Sequence, residues 1–486
     1  MSKSVKQEKF FNGEKALVMG LGLHGGGVAT AKWLVRHGAK VTATDMRTKA
    51  TLTPSLRALK GLPIRYILGT HQDDDFRTHD LVVVNPGVKR DSAYLRTAIM
   101  AGKRIENDAS LFFRYSTNPV IAVTGTRGKT TTTEWVASLL SKKYGAVRAS
   151  GNTPENAFLK EFERVYKKDI PVVAEMSSWQ LEHLSSDIRA PHVAVITNLY
   201  PDHLNRYKGM KEYANAKAHI FLAQKRDDFL ILNLDNEWTP YFLKKKPRAL
   251  TFFISTKPLP HGVGGLCVKA GRLVFRFDGM EQKLFSIRKF VLLRGVHNLE
   301  NLMNAVLAVK LFDPTVVVSE RDALRLPSPR MRQEVVGKKG KLTIVNDSCA
   351  TSPDGTIAAI ERFRKLGHVV LITGGTDKVL EFGDLARVLK KHIPKNQLIL
   401  LLGSATKKLL KLLPPLSPNP SMSSPRLDME VHDTLLACVR EAFKIARSLK
   451  GNTTILFSPG AASFEKFLHE FDRGEKFNAL VKKYIK

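Results

Sequence analysis

Val120-Ile-Ala-Val-Thr-Gly-Thr-Arg-Gly-Lys-Thr-Thr-Thr-Thr-Glu134 is an apolar run, a glycine turn and a Lys-Thr pair opening a helix. Gly125 and Gly128 let the backbone N–H groups of such a turn curl round phosphate oxygens, and the helix start adds a favourable dipole. Lys129 is placed to reach terminal phosphates and Thr130 to offer its hydroxyl to Mg²⁺, with Thr126, Arg127 and Thr131 completing the nucleotide contacts. Val123 stands where the strict pattern has a glycine, so the match is to the shorter Gly-Thr-Arg-Gly-Lys-Thr form. The plain alternative is an ordinary strand–turn–helix. The pattern favours a nucleoside triphosphate site.

On both sides of this motif apolar runs alternate with helix-like segments, the signature of α/β architecture with largely parallel sheets. Before it, residues 16–19, 41–45 and 81–85 predict strands, with a helix over 26–37. After it come a helix over 129–143, strands over 171–176, 193–197 and 229–234, a glycine-rich hairpin over 262–277 and a helix over 298–312. Leu324–Pro329 reads as a linker. The alternation then restarts, with strands over 342–347, 369–373, 397–402 and 453–457 and an exposed Pro/Ser-rich loop at Pro414–Pro425. The expected fold class is α/β in three domains. These are a Rossmann-like domain over 1–113, a central phosphate-loop ATPase-type domain over 114–326 and a second Rossmann-like domain over 327–486.

Bulk properties fit that plan. At 486 residues the chain exceeds one compact domain, and 43% hydrophobic with 25% charged residues is ordinary for a globular protein. The basic start Met1–Phe11 lacks the apolar core of a secretory signal, and no run approaches a membrane span. Cys267, Cys349 and Cys438 are widely separated and form no CxxC, which argues against a disulfide framework or zinc ribbon. A cytoplasmic, reducing compartment and no membrane partner are expected. The net charge of +32 is the unusual feature. Its lysines and arginines are spread along the chain, in clusters no longer than Lys244-Lys245-Lys246 or Lys338-Lys339. With no nucleic-acid motif beside them, they point to anionic small molecules rather than to DNA or RNA.

A second glycine motif, Gly20-Leu-Gly22-Leu-His-Gly25, follows a strand and precedes a helix, and Asp45 ends the next strand. That is the dinucleotide fingerprint. Its physics is less specific than its name, because any nucleoside diphosphate offers the same close backbone approach and the same ribose or base to an acid. A purely structural turn remains open. Gly22, Leu23, His24 and Asp45 are the candidate contacts, and Asn85-Pro86-Gly87 adds Asn85 and Gly87 at the same sheet edge. A nicotinamide oxidoreductase is disfavoured because a triphosphate loop follows directly.

Taken in order, the motifs resemble the Mur ligase family over nearly the whole chain, and most of all its D-glutamate-adding members. They are Gly20-Leu-Gly22, the phosphate loop, Gly151-Asn-Thr153, Ala174-Glu-Met-Ser-Ser-Trp-Gln-Leu-Glu182, Thr197-Asn-Leu-Tyr-Pro-Asp-His-Leu204 and Ala216-Lys-Ala218. Gly295-Val-His-Asn-Leu-Glu-Asn301, Asn346-Asp-Ser-Cys-Ala-Thr351 and Ser458-Pro-Gly-Ala-Ala-Ser463 complete the set. The resemblance implies an ATP- and Mg²⁺-dependent, monomeric ligase. It would join D-glutamate to UDP-N-acetylmuramoyl-L-alanine through an acyl phosphate. A sibling or folate-type ligase using another amino acid is the alternative.

Residue by residue, the resemblance makes Thr130, Glu175, His203 and Lys217 the metal-site candidates, with one or two Mg²⁺ ions, and Lys217 a lysine carbamylated by CO₂. Against these stand a helix-capping Glu175, a hydrogen-bonded loop His203 and an unmodified, solvated Lys217. Asn152 matches a substrate contact. His297, Asn298 and Asn301, at a helix start, can cap it as well as meet adenine or phosphate. Arg332 and Asp347 match nucleotide contacts, and Thr351, Lys378 and Ser463 match the seats of the D-glutamate carboxylates, where hydroxyls and a lysine suit a dianion. Two positions depart from the family pattern. Cys349 stands where many relatives have lysine, and Glu470 stands at the aromatic contact between Phe467 and Phe471.

Overall fold

The computed structural model describes residues 8–23, 25–85, 87–88, 91–145, 147–150, 157–203, 206–413 and 430–485. It contains three sheets, and the α/β alternation is borne out. The chain divides into two compact units, Met1–Phe290 with Asn298–Leu326, and Val291–His297 with Pro327–Lys486.

The first unit holds two sheets. One is wholly parallel and contains β1 (Lys15–Met19), β2 (Lys40–Asp45), β3 (Ile64–Leu68), β4 (Leu81–Val84) and β5 (Arg104–Glu106), in the order β3-β2-β1-β4-β5. The other runs through β6 (Val120–Thr124), β7 (Val147–Ser150), β8 (Val172–Glu175), β9 (Val193–Ile196), β10 (Phe229–Asn233), β11 (Leu250–Ser255), β12 (Gly265–Lys269), β13 (Arg272–Phe277) and β14 (Met280–Ser286). Its order is β14-β13-β12-β11-β10-β9-β6-β8-β7, parallel except for the β12–β13–β14 meander at one edge. Every residue of β6, β8 and β9 is buried. Such uninterrupted Val/Ile/Ala runs are what a parallel strand covered by helices on both faces requires.

The second unit is built on β15 (Glu334–Lys339), β16 (Leu342–Asn346), β17 (His368–Thr373), β18 (Leu398–Leu401), β19 (Glu430–His432) and β20 (Thr453–Phe457), ordered β15-β16-β20-β17-β18-β19. All its pairs are parallel except β15–β16. Strand order reverses direction beside β1, β6 and β20 in the respective sheets. At such switch points the loops leaving neighbouring strands splay apart and open a crevice.

Seven strands were not anticipated from the apolar runs: β3, β5, β7, β11, β14, β15 and β19. All but β11 are sheet edges, and β14 and β15 are largely exposed, so they carry charge where a central strand carries valine. The helix expected from 298 begins at Leu299, after a 3₁₀ turn Val296–Asn298. The segment Pro414–Pro425 lies outside the described residues, and no described helix is long and apolar enough to cross a membrane.

The two sheets of the first unit are tied together at Asn107, at the start of the helix Asp108–Tyr115. Its Oδ1 accepts from Ser110 N at 2.8 Å and the Ser110 hydroxyl accepts from Asn107 N at 2.8 Å, a reciprocal cap. Its Nδ2 donates to the Gln180 carbonyl at 2.9 Å, beyond β8. Asn107 is fully buried, so removing its amide leaves several groups unpaired. Asn107→Ala is expected to lower unfolding free energy by about 2 kcal/mol, at the upper end of cap losses. Urea unfolding checks this, and a loss below about 0.5 kcal/mol would contradict it.

Candidate active site

The loop after β6 has no space for side chains at its glycines. A β-carbon on Gly125 would overlap the Thr197 hydroxyl, and one on Gly128 would overlap the Asn301 carboxamide; both backbones are left-handed, with φ of 148° and 81°. The loop is therefore pressed against the end of β9 and the start of the helix Leu299–Phe312. Thr126 N donates to Asn198 O at 3.0 Å, Arg127 N to Asn198 Oδ1 at 2.9 Å and Thr197 Oγ1 to Arg127 O at 2.6 Å. Tyr200 N donates to Thr126 Oγ1 at 3.0 Å. Thr197 and Asn198 were not singled out from the sequence, although their motif was. Their signal was position alone, immediately after a buried strand.

Asn301 thus braces the loop, and its Nδ2 donates to Asn298 Oδ1 at 3.1 Å. Asn298 occupies the cap position of its helix without a side-chain cap bond, so the capping reading of that residue does not describe it. Lys129 folds over the loop, donating to the carbonyls of Gly125 at 3.1 Å and Thr126 at 3.2 Å. Thr130, in the first turn of the helix Lys129–Tyr144, donates to Glu175 Oε1 at 3.1 Å; Thr131 beside it is buried. Glu175 closes β8, so a hydroxyl and a carboxylate meet at the mouth of the phosphate loop. They are the hard oxygen donors that Mg²⁺ takes from a protein when phosphates and water supply the rest. Among the described residues no cluster of three His, Cys, Asp or Glu side chains is placed to hold a metal ion.

Lys217 departs most from expectation. It projects from the helix Met210–Leu222 and is 1% exposed, so the solvated lysine is excluded. Its Nζ donates to the Gly125 carbonyl at 2.8 Å, the same oxygen that Lys129 uses, and lies 4.6 Å from the centre of the Tyr213 ring. Burial, and then the neighbouring Lys129 charge, hold its amine well below the usual 10.5, with Asp202 opposing. The fold therefore favours an uncharged amine. His203 lies against the Tyr213 and Trp179 rings, with centroids 5.9 and 5.5 Å away, in a left-handed backbone with φ of 55°. Beside it Asp202 pairs with Arg127 at 2.9 Å; burial raises its pKa, but His203 and Arg127 more than offset this and keep it low.

In the first sheet, the turn after β1 faces the turn after β4. Asn85 joins them, donating to Gly20 O at 3.3 Å and accepting from Gly87 N at 3.0 Å. Asp45 accepts from Gly22 N at 3.0 Å and Arg47 N at 2.9 Å and is 5% exposed. Its Oδ2 thus braces the glycine turn, while Oδ1 closes the start of its own loop after β2. Close helix approach falls at Gly27, where a β-carbon would overlap the Leu21 carbonyl. Leu23 is exposed, whereas His24 and Asn152 lie outside the described residues.

In the second unit the candidates gather where β16, β17 and β20 end. Exposed Arg332 is flanked by two residues in the left-handed region, Met331 with φ 57° and Gln333 with φ 47°. Gln333 N is held by Asp347 Oδ1 at 2.9 Å, and Ser458 Oγ donates to Asp347 Oδ2 at 2.7 Å. Burial pushes Asp347 up to about 7 despite these bonds. Lys378 Nζ donates to Thr351 Oγ1 at 3.3 Å, bringing two of the amino-acid candidates together. The Ser463 hydroxyl is buried and unpartnered. Burial raises the Cys349 thiol to about 12, so it is no nucleophile at neutral pH.

A phosphate loop, an adjoining carboxylate and a buried amine at the end of a parallel sheet define a nucleotide-using α/β enzyme. A family model described as Mur ligase middle domain matches residues 123–309, and one described as Mur ligase MurD-like, N-terminal domain matches residues 14–106. The UDP-N-acetylmuramoylalanine–D-glutamate ligase of Roseiflexus sp. (strain RS-1) is 37% identical over 97% of this chain and 99% of its own. The enzyme of the same name from Borreliella burgdorferi is 34% identical over 96% and 97%. The crystal structure of UDP-N-acetylmuramate–alanine ligase from Thermotoga maritima aligns with a TM-score of 0.57 and 20% identity, covering 97% of this chain and 99% of that one, and shares the fold. The chain belongs to the Mur ligase family.

Lys217 gives a test by pH. Between its lowered folded pKa and 10.5 the unfolded chain binds a proton that the folded chain does not, so its contribution to stability climbs with pH in that window. Lys217→Met removes the group. The stability of wild type minus variant should rise from about pH 7 to about pH 10 in CO₂-free buffer. A flat difference in melting temperature would contradict the buried, uncharged amine.

Proposed function

We propose that this chain is an ATP-dependent ligase that joins D-glutamate to UDP-N-acetylmuramoyl-L-alanine in peptidoglycan precursor synthesis, releasing ADP and phosphate. It would act in the cytoplasm, as a monomer, on small molecules. The observation that carries the reading is the phosphate loop with the Thr130 hydroxyl on the Glu175 carboxylate at its mouth. Similarity to ligases named for this reaction, over nearly the full length of both chains, supports the choice of substrates.

The residues divide the work as follows. Backbone N–H groups at the helix start after Gly128 hold the triphosphate, with Asn198 bracing the Thr126 and Arg127 N–H groups and with Thr126, Arg127 and Thr131 around it. Lys129 exchanges the loop carbonyls for the terminal phosphate. Bound Mg²⁺, at Thr130 and Glu175 with His203 and Lys217 as further ligand candidates, would neutralise phosphate charge. An uncharged Lys217 amine is the form that adds CO₂, losing a proton and becoming an anionic carbamate. The substrate carboxylate oxygen attacks the terminal phosphorus, ADP leaves, the amine of the amino acid attacks the acyl carbon and phosphate departs. Positioning and charge stabilisation suffice for such transfers, without a covalent protein nucleophile.

Gly22, Leu23, His24, Asn85, Gly87 and Asn152 are the proposed contacts of the UDP-linked substrate, with Asp45 bracing their turn. Asn298, Asn301, Arg332 and Asp347 are proposed for the nucleotide, and Thr351, Lys378 and Ser463 for the amino acid. Cys349 and Glu470 keep another amino acid in view as the second reading.

The test is product mass after incubation with ATP, Mg²⁺, UDP-N-acetylmuramoyl-L-alanine and a panel of amino acids. D-glutamate is expected to give the ligated product; a product from a different amino acid alone would overturn the substrate reading. Lys129→Ala should keep its melting temperature yet lose about two to three orders of magnitude in turnover, as when one preorganised charge is removed from a transition state. Unchanged turnover would remove the phosphate loop from the reaction.

A further inference from the structure

Three loops of the second unit converge on one side chain. Arg473, in the helix Glu470–Ile485, is fully buried at 0% exposure. Its Nε donates to Ser348 Oγ at 3.1 Å and its Nη2 to Ser348 O at 2.7 Å, in the loop after β16. Its Nη1 donates to the carbonyls of Ala461 at 3.1 Å and Ala462 at 2.9 Å, in the loop after β20. A β-carbon on Gly375, in the loop after β17, would stand 3.5 Å from the same Nη1. These loops carry Thr351, Ser463 and Lys378.

All four hydrogen-bond acceptors are neutral, and Arg473 makes no ion pair among the described residues. A desolvated guanidinium without a carboxylate is costly, so its retention needs a reason. Burial lowers Arg473 only to about 10, with Glu470, Cys349 and Asp347 opposing, so it remains a cation at neutral pH.

Ser463 gives a second, independent observation. It is 3% exposed, its hydroxyl has no partner, and it lines one small cavity with Arg473, Gly375, Thr376 and Ala462. Two charged residues of the same wall are engaged elsewhere, Glu465 by Ser404 and Lys466 by Asp433. An unused hydroxyl beside a buried cation is a seat for a negatively charged acceptor. The loop Asn346–Thr351 brings no cation of its own, since Cys349 stays a neutral thiol.

We propose that Arg473 is a specificity-determining positioning residue, a buried cation that ties the loops after β16 and β20 together beside the loop after β17 and supplies the positive potential selecting an amino acid with a second carboxylate. It touches no substrate and acts through Ser348, Ala461, Ala462 and the field of its charge. The proposal rests on the ligase function given above.

The test compares kcat/KM for D-glutamate with that for D-glutamine, its neutral amide, in five enzymes. These are the wild type, Arg473→Met, Arg473→Lys, Ser348→Asp and Ser348→Ala, each with its melting temperature. Arg473→Met should lower the D-glutamate preference about tenfold, or about 1.4 kcal/mol, through KM for D-glutamate and not KM for ATP. Arg473→Lys keeps the charge and should keep most of the preference. Ser348→Asp neutralises the arginine in place and should mimic Arg473→Met, deciding the matter if that variant does not fold, while Ser348→Ala should not. A preference ratio unchanged in both Arg473→Met and Ser348→Asp, with D-glutamate turnover intact in the wild type, overturns this role alone. A wild type that accepts only an amino acid lacking a second carboxylate overturns the role and the substrate reading together.

Discussion

At Gly125 and Gly128 the chain has room for a backbone and nothing more, and the rest of the first unit is arranged around that constraint. Because no β-carbon intervenes, the phosphate loop can lie directly on Thr197 and Asn301. Those contacts fix the direction of its N–H groups before any ligand arrives, and a preformed cradle loses little freedom on binding. The neighbouring carbonyl of Gly125 is where two lysines meet. The tightness that shapes the cradle also leaves Lys217 unable to hold a proton comfortably. Geometry and proton affinity at this site are one arrangement.

The parallel sheets extend the constraint. In each of them the residues of interest follow the C-terminal ends of strands beside the place where strand order turns, at β1 and β4, at β6, β8 and β9, and at β16, β17 and β20. Side chains far apart in sequence, such as Thr351 and Lys378, meet because the parallel strands β16 and β17, on either side of β20, end at the same level. Short hydroxyl and amide side chains recur there as braces of turns.

How much of this could be read from sequence depends on what each residue type encodes locally. The phosphate loop and its flanking strand were legible because glycine spacing and an unbroken apolar run are local signals. Central strands β6, β8, β9 and β20 were legible for the same reason. Edge strands such as β15, Glu334–Lys339, were not, since half their surface faces water and their pattern is that of a polar turn. Lys217 had the sequence of any surface helix, and only tertiary packing makes it a buried amine. Asp45 was read as an acid facing a ribose or base; its bond to Gly22 N, twenty-three residues away, had no local signal. Arg473 gave no signal at all, for an arginine in a charged helix is ordinarily solvated.

The inward-facing guanidinium also separates two kinds of charge in the second unit. Lys378 is open to water, where mobile ions gather and weaken its reach over a Debye length of about 8 Å at physiological ionic strength. The guanidinium of Arg473 has no surface on which a counter-ion can settle, so its field passes through protein before it meets solvent. The share of the local potential that comes from such a charge is therefore screened less by added salt than the share that comes from Lys378.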